Sequence, residues 1–137
     1  MSLCQDQKLD AIVVGLPSHV YYFSAHLPFW LHHPAFILFA DGRSCLISAN
    51  SPARGVAADD VRSYEANWMG TQRQEQPQEV AAHVAAILAE RHAQRIGIDA
   101  SLPTSQLALT MAGRCQSIDA GLLQMRRAKD PDELILM

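Results

Sequence analysis

The feature that most constrains this chain is a short apolar run, DAIVVG, at residues 10–15. The run is nearly continuous and rich in β-branched side chains, which is typical of a strand buried on both faces of a parallel or mixed sheet. It therefore predicts the first core strand of a domain that combines strands with helices.

A second strong signal is Asp41-Gly42, which lies between the apolar segments at residues 36–40 and 44–48. Asp-Gly between two such segments is typical of a tight turn in which both central residues have positive φ. We predict an antiparallel hairpin at this place.

The remaining segments alternate between strand and helix patterns, and 137 residues suit a single domain. Strands are predicted at residues 61–65, 95–99 and 115–119. Helices are predicted at residues 18–23 with Ser18 as the N-cap, from Pro77 with Val80, Val84, Ile87 and Leu88 on one face, and from Thr104 as the cap to about residue 113. The predicted fold class is α/β, with a mixed β-sheet flanked by helices.

Residues 66–76 are polar and predict a loop, apart from Trp68 and Met69. Large apolar side chains in a loop either pack into the core of their own domain or contact a partner. For Trp68 and Met69 we favour packing into their own domain.

Charge and composition exclude several classes of partner. The formal net charge is -3, the pI is near 6.0, and Lys and Arg are scattered along the sequence. No basic cluster suited to nucleic acid or to an anionic membrane is visible. Cys4, Cys45 and Cys115 show no C-x-x-C spacing, so neither a disulfide framework nor a thiolate metal site is indicated. With no signal-peptide pattern and no apolar span, a cytoplasmic location is expected.

No catalytic motif is present: the sequence lacks a P-loop, G-x-G-x-x-G, G-x-S-x-G, H-E-x-x-H and an EF-hand loop. The chain alone is therefore expected to be catalytically inert.

One segment, residues 26–34, concentrates side chains that could have a function. His26, His32 and His33 raise the question of a metal, but adjacent histidines in an extended loop point apart and no Cys or carboxylate lies nearby, so a surface loop is favoured. Phe29 and Trp30 either plug the domain or contact a partner, and both alternatives stay open.

The last residues carry a strong helix-start signal. Asp130, Pro131 and Glu133 occupy the positions of a cap, a first-turn proline and a first-turn acid. A helix of this length is marginal in water, so the apolar residues 134–137 need a surface to pack on. We expect them to be poorly ordered or packed on another molecule; docking on their own domain is the alternative.

These segments resemble, in the right order, the N-terminal domains of the creatinase/prolidase/aminopeptidase P family. The resemblance is carried by DAIVV at residues 10–14, SHVYYFSA at 18–25, the Asp41-Gly42 hairpin, RIGID at 95–99, and LQMRRAKDPDEL at 123–134, which is the most specific match. Two positions depart from the family pattern, since Ala25 stands where Gly is common and His19 where Asn is common.

The resemblance implies a non-catalytic N-terminal domain at residues 1–129 and, at 130–137, the start of a linker helix to a C-terminal catalytic domain. That domain would act on Xaa-Pro dipeptides or a small C–N substrate such as creatine, with either a divalent metal pair or, as in creatinase, a metal-free site. No cofactor is expected in this chain itself.

The resemblance also implies a homodimer, with the segment 26–34 at the dimer interface and near the partner subunit's active site. The candidates for substrate or interface contacts are Phe29, Trp30, His32 and His33. Two other classes remain open, a stand-alone α/β interaction module without an enzyme partner and a small enzyme that uses this His-rich loop.

Overall fold

A computed structural model describes residues 8–24, 33–49, 58–64, 67–68, 71–72, 76–111, 113–118 and 121. The strands are β1 (Ala11–Val14), β2 (Ala35–Phe39), β3 (Ser44–Ala49), β4 (Asp60–Tyr64), β5 (Asn67–Trp68), β6 (Thr71–Gln72), β7 (Ile96–Ile98) and β8 (Cys115–Ser117). The helices are α1 (Pro17–Ser24), α2 (Gln76–Glu90) and α3 (Leu102–Thr110). The C-terminal helix predicted from Asp130 lies outside the described residues.

The main sheet has six strands in the order β4-β3-β2-β1-β7-β8. Strand β2 is antiparallel to both of its neighbours, whereas β3 with β4, β1 with β7, and β7 with β8 are parallel pairs. Five strands therefore point the same way. We call the edge where these five strands end the carboxyl edge, and the edge where they start the amino edge. This mixed sheet with flanking helices confirms the predicted fold class.

Strand β1 has all four residues buried, as its apolar run predicted. Its side chains alternate between two cores on opposite faces of the sheet. Ala11 and Val13 pack in the core with α2 and α3, whereas Ile12 and Val14 pack in the core with α1. The continuous apolar run thus reflects burial on both faces.

Helix α2 shows the predicted apolar stripe, with Val80, Val84, Ile87 and Leu88 all buried against the sheet. It begins one residue earlier than predicted, at Gln76, so Pro77 is its second residue. Pro77 is still in the first turn, where its missing N–H leaves no helical hydrogen bond unmade.

The β2–β3 hairpin is confirmed, but its turn differs from the predicted one. Gly42 has φ 94, whereas Asp41 does not have positive φ. The Gly42 amide donates to the Phe39 carbonyl at 3.0 Å, and the Phe39 amide donates to the Arg43 carbonyl at 2.8 Å. This is a three-residue loop with a single left-handed glycine, because a type I turn followed by such a glycine also matches the strand twist.

Two predicted helix caps are wrong. Ser18 is an exposed residue inside α1, which begins at Pro17. The N-cap of α3 is Ser101, whose hydroxyl accepts from the Thr104 amide, so that Thr104 is the third helical residue and completes a capping box. The observed cap positions precede the predicted ones by two residues for α1 and by three residues for α3.

The predicted loop at residues 66–76 is also corrected in part. Strands β5 and β6 form a two-stranded antiparallel ladder inside it, with Trp68 paired to Thr71. Two residues per strand are too few to produce a periodic pattern that sequence analysis can detect. The packing of the Trp68 and Met69 side chains lies outside what the structure describes.

Cys45 and Cys115 are free thiols. Burial raises the pKa of Cys45 to about 11 and also raises the pKa of Cys115. A thiol that stays protonated at neutral pH is a weak nucleophile and a weak metal ligand. Cys4 lies outside the described residues. None of the helices in the described part of the chain combines the length and apolarity that crossing a bilayer requires.

Helix α2 ends in a Schellman motif that places a histidine in a left-handed conformation. The Ala93 amide donates to the Leu88 carbonyl at 3.0 Å, and the His92 amide donates to the Ala89 carbonyl at 3.1 Å. His92 has φ 55. Glycine is the usual residue at this position, because a Cβ atom is strained there.

We expect His92→Gly to raise the free energy of unfolding by about 1 kcal/mol, because it removes this strain. Urea denaturation of the two proteins measures the difference. Ala89→Gly is the matched control: it introduces the same residue within the helix and should lower stability by about 1 kcal/mol. A loss of stability in His92→Gly would contradict the interpretation of this turn.

Candidate functional site

Ligands of open α/β sheets bind beyond the carboxyl ends of the strands, so a site is expected at the carboxyl edge. Of the four predicted site residues, the structure describes His33, which lies just before β2 at this edge. Phe29, Trp30 and His32 lie outside the described residues, as does His26. Their proposed contacts stay predictions.

Tyr64 holds the backbone of His33 at this edge. Tyr64 is the last residue of β4 and is 3% exposed. Its hydroxyl donates to the His33 carbonyl at 2.8 Å and accepts from the His33 amide at 3.1 Å. The same oxygen lies 2.9 Å from Oε1 of Gln76, the buried first residue of α2. We call Tyr64, His33 and Gln76 the Tyr64 clamp.

The Tyr64 hydroxyl of the clamp stays protonated over the physiological pH range. Burial raises the pKa of Tyr64 to about 12, although the hydrogen bond with the His33 backbone acts in the opposite direction. The phenol therefore remains protonated and able to donate at neutral pH. The clamp therefore positions the backbone. It fixes the end of the segment 26–34, where the chain enters β2.

Asp99 forms a second, larger network at the same edge. It follows β7, and its carboxylate is fully buried. It accepts from the Gly15 amide at 3.0 Å and the Leu16 amide at 2.9 Å, just before α1. The Ser101 hydroxyl donates to it at 2.9 Å. Asp99 therefore stabilises the start of α1, the function predicted for Ser18, and joins the carboxyl ends of two parallel strands.

The network also includes His19, whose side chain is 12% exposed. Its Nδ1 lies 2.9 Å from Oδ2 of Asp99. With Nδ1 bound in this way, Nε2 is the ring nitrogen left to face other groups. A histidine oriented by a buried carboxylate is one half of a general-base arrangement. Among the described residues, no nucleophile is hydrogen-bonded to Nε2. The bond between His19 and Asp99 ties the first turn of α1 to the end of β7.

The turn between β1 and α1 is tightly packed against this network. A Cβ atom at Gly15 would lie 2.5 Å from the Ser101 hydroxyl oxygen. Only glycine therefore lets the chain approach Ser101 closely enough for the Gly15 amide to reach Asp99.

Metal binding finds no support in the part of the chain that the structure describes. No group of three or more His, Cys, Asp or Glu side chains is placed there to hold an ion. His26 and His32 fall outside it, so a metal at those residues is not tested. Among the described polar groups of the carboxyl edge, Asp99 and Tyr64 hydrogen-bond backbone segments.

Sequence reasoning missed three residues of this edge, namely Asp99, Tyr64 and Gln76. Asp99 and Tyr64 each carried one usable signal, a polar or amphipathic side chain at the very end of a predicted strand. Their partners are distant in sequence, since Asp99 is 84 residues from Gly15 and Tyr64 is 31 residues from His33.

Comparison with known proteins places the chain in a family. The family model described as Creatinase/Prolidase N-terminal domain matches residues 2–127. The chain belongs to this family. No curated protein sequence matches it significantly.

Solved structures share the fold of this creatinase/prolidase N-terminal domain. A proline dipeptidase from Streptococcus pneumoniae matches with a TM-score of 0.68 at 15% identity, covering 93% of this chain and 94% of that chain. The N-terminal domain of Xaa-Pro dipeptidase from Lactobacillus brevis matches with a TM-score of 0.59 at 14% identity, covering 90% and 99%.

One of the matched structures is much longer than this chain. The prolidase from Pyrococcus furiosus matches with a TM-score of 0.58 at 15% identity, covering 97% of this chain and 36% of that chain. The chain thus spans about a third of the length of this prolidase. At these identities the likeness establishes the fold.

Proposed function

We propose that this chain is the non-catalytic N-terminal domain of a Xaa-Pro dipeptidase or creatinase-like hydrolase whose catalysis takes place in a C-terminal domain. The observation that carries the proposal is the family match over residues 2–127, together with coverage of about a third of a full-length prolidase. A divalent metal pair in the C-terminal domain would supply an activated water and polarise the scissile carbonyl.

The geometry of the carboxyl edge supports an accessory role. Asp99 and Tyr64 are buried polar groups of this edge, and both are engaged with backbone amides or carbonyls. Groups engaged in this way position chain segments. We place the domain in a reducing cytoplasm, where the thiols of Cys45 and Cys115 stay free.

The segment 26–34 is the part of the domain that we propose shapes the substrate pocket and supports a homodimer. The Tyr64 clamp fixes its end at His33. Phe29 and Trp30 offer stiff apolar area of the kind enriched at interface cores, and His32 or His33 can hydrogen-bond a small polar substrate.

The test uses the full-length protein that contains this domain. Trp30→Ala and His33→Ala are expected to raise KM for an Xaa-Pro dipeptide or to weaken the dimer, measured by steady-state kinetics and sedimentation. The melting temperature of the isolated chain should stay nearly unchanged, because the segment faces a partner. Tyr21→Ala is the matched control, since Tyr21 is an aromatic residue on α1 that is 54% exposed.

Two outcomes would contradict the proposal. If Trp30→Ala destabilises the isolated chain by the ~3–5 kcal/mol typical of emptying a core aromatic site, the segment belongs to the core. If the purified chain hydrolyses dipeptides with added divalent metal, and His32→Ala with His33→Ala abolishes this turnover, the chain is an enzyme in its own right.

A further inference from the structure

The hydroxyl of Tyr64 binds two backbone groups of one residue, His33. It donates to the His33 carbonyl at 2.8 Å and accepts from the His33 amide at 3.1 Å. In an antiparallel ladder, a residue on the neighbouring strand makes such a pair of bonds with its own backbone. The pairing of β2 with β3 ends at Ala35 and Ile47, and Ala35 lies two residues after His33. The hydroxyl thus continues the hydrogen bonding of β2 beyond the end of its ladder.

The side chain of Tyr64 crosses β3 to make these bonds. Tyr64 is paired with Ala49 of β3. Because Ala35 is paired with Ile47 in the antiparallel register, His33 is level with the same Ala49 on the other side of β3. Strands β4 and β2 are two strand spacings apart, or about 10 Å, which no backbone hydrogen bond can span. The contact therefore requires a long side chain with a polar end at position 64.

The position of this hydroxyl is set by the core. Tyr64 packs among the buried residues on the α2 side of the sheet and is 3% exposed. A tyrosine side chain has only two rotatable χ angles, so a buried ring leaves its hydroxyl little freedom. The same oxygen lies 2.9 Å from Oε1 of Gln76, the first residue of α2. The hydroxyl is thus a fixed point relative to both the sheet and α2.

A fixed hydroxyl bound to both the amide and the carbonyl of His33 restricts both backbone dihedral angles of that residue. The direction of the Cα–Cβ bond of His33 is then set as well, so the imidazole starts from a defined place at the carboxyl edge. The side chain of His33 is half-buried. Binding groups act best when neighbouring residues fix them in this way before the ligand arrives.

We propose that Tyr64 is a positioning residue for substrate binding, which holds the His33 imidazole where it can hydrogen-bond an Xaa-Pro dipeptide or another small polar substrate. This inference rests on the proposed function, in which the segment 26–34 shapes the substrate pocket. Tyr64 acts through His33 and does not touch the substrate, because its hydroxyl is engaged with His33 and Gln76. Its loss should therefore weaken substrate binding and leave the chemical step unchanged.

The test measures KM and kcat for an Xaa-Pro dipeptide with the full-length protein that contains this domain. Tyr64→Phe removes only the hydroxyl, and KM is expected to rise about fivefold, as for the loss of a typical hydrogen bond. The kcat per folded molecule should change less than about twofold. Ile47→Val is the matched control, since it trims a side chain in the same core and leaves the clamp intact. Its KM should equal that of the original protein.

His33→Ala shows whether Tyr64 acts through His33. In the His33→Ala background, Tyr64→Phe should raise KM no further, because the imidazole that it positions is gone. Equal fold-changes in the two backgrounds would overturn the inference, as would a KM that rises in His33→Ala but not in Tyr64→Phe. If His33→Ala itself changes neither KM nor the dimer, the proposed function fails and this inference fails with it.

Tyr64→Phe must be folded for this comparison, which circular dichroism checks. If the variant unfolds in buffer, the kinetics of all variants are measured in sucrose, which favours the folded state. The same rise in KM is expected there relative to the original protein in sucrose. An unchanged KM in sucrose would overturn the inference.

Discussion

Asp99→Ala is expected to lower the free energy of unfolding by about 3–5 kcal/mol, because it removes the acceptor for several buried donors at once. The Gly15 and Leu16 amides lose their partner at 3.0 and 2.9 Å, and the Ser101 hydroxyl loses its partner at 2.9 Å. Urea denaturation followed by circular dichroism measures the change. Loss of the network should also loosen α1, which amide hydrogen exchange would detect as faster exchange there.

Asp59→Ala is the matched control for Asp99→Ala. Asp59 is an exposed aspartate whose Oδ2 accepts from the Ser44 amide at 2.8 Å. Water can replace an exposed acceptor, so this variant should cost less than about 1 kcal/mol. Equal losses in the two variants would show that burial of Asp99 contributes nothing special.

Strands β1, β2 and β3 were predictable because each is a compact, mostly apolar segment with turn residues nearby. Strand β1 is a clear case, since a continuous β-branched run can be satisfied only by burial on both faces. The hairpin was predictable from Asp41-Gly42 and the two apolar segments that flank it. Its turn type was not, because a three-residue loop and a two-residue loop can share the same Asp-Gly pair and differ only in which residue is left-handed.

Features that depend on strand register were not predictable. The start of α1 is stabilised by Asp99 from a distant strand, so the local pattern pointed to Ser18 instead. Tyr64 and His33 come together because β3 pairs with both β2 and β4, and β4 ends at the edge of the sheet where β2 begins. Arg95 and Arg114 are likewise separated in sequence, and the parallel pairing of their strands makes them neighbours. The predicted site segment was identified by its residue types, and its contacts stay predictions.

Gly97→Val is expected to be the other severe substitution, with a loss of about 3 kcal/mol in the free energy of unfolding. Gly97 lies in the middle of β7, and a Cβ atom there would lie 2.7 Å from both Cγ2 of Ile118 and Cδ1 of Leu9. Both neighbours are buried, at 1% and 3% exposure, so they have little room to move away. The absence of a side chain at Gly97 thus lets Ile118 cover β7. Urea denaturation measures the loss.

A double-mutant cycle with Ile118→Ala separates this packing conflict from an intrinsic effect on the strand. Ile118→Ala alone should cost about 2–4 kcal/mol, because it leaves a cavity over β7. In the double variant the methyl groups of the introduced valine would occupy that cavity, so the combined loss should be at least about 1 kcal/mol smaller than the sum of the two single losses. Simple additivity would mean that the cost of Gly97→Val arises elsewhere, and that close contact with Ile118 is not the reason for glycine at this position.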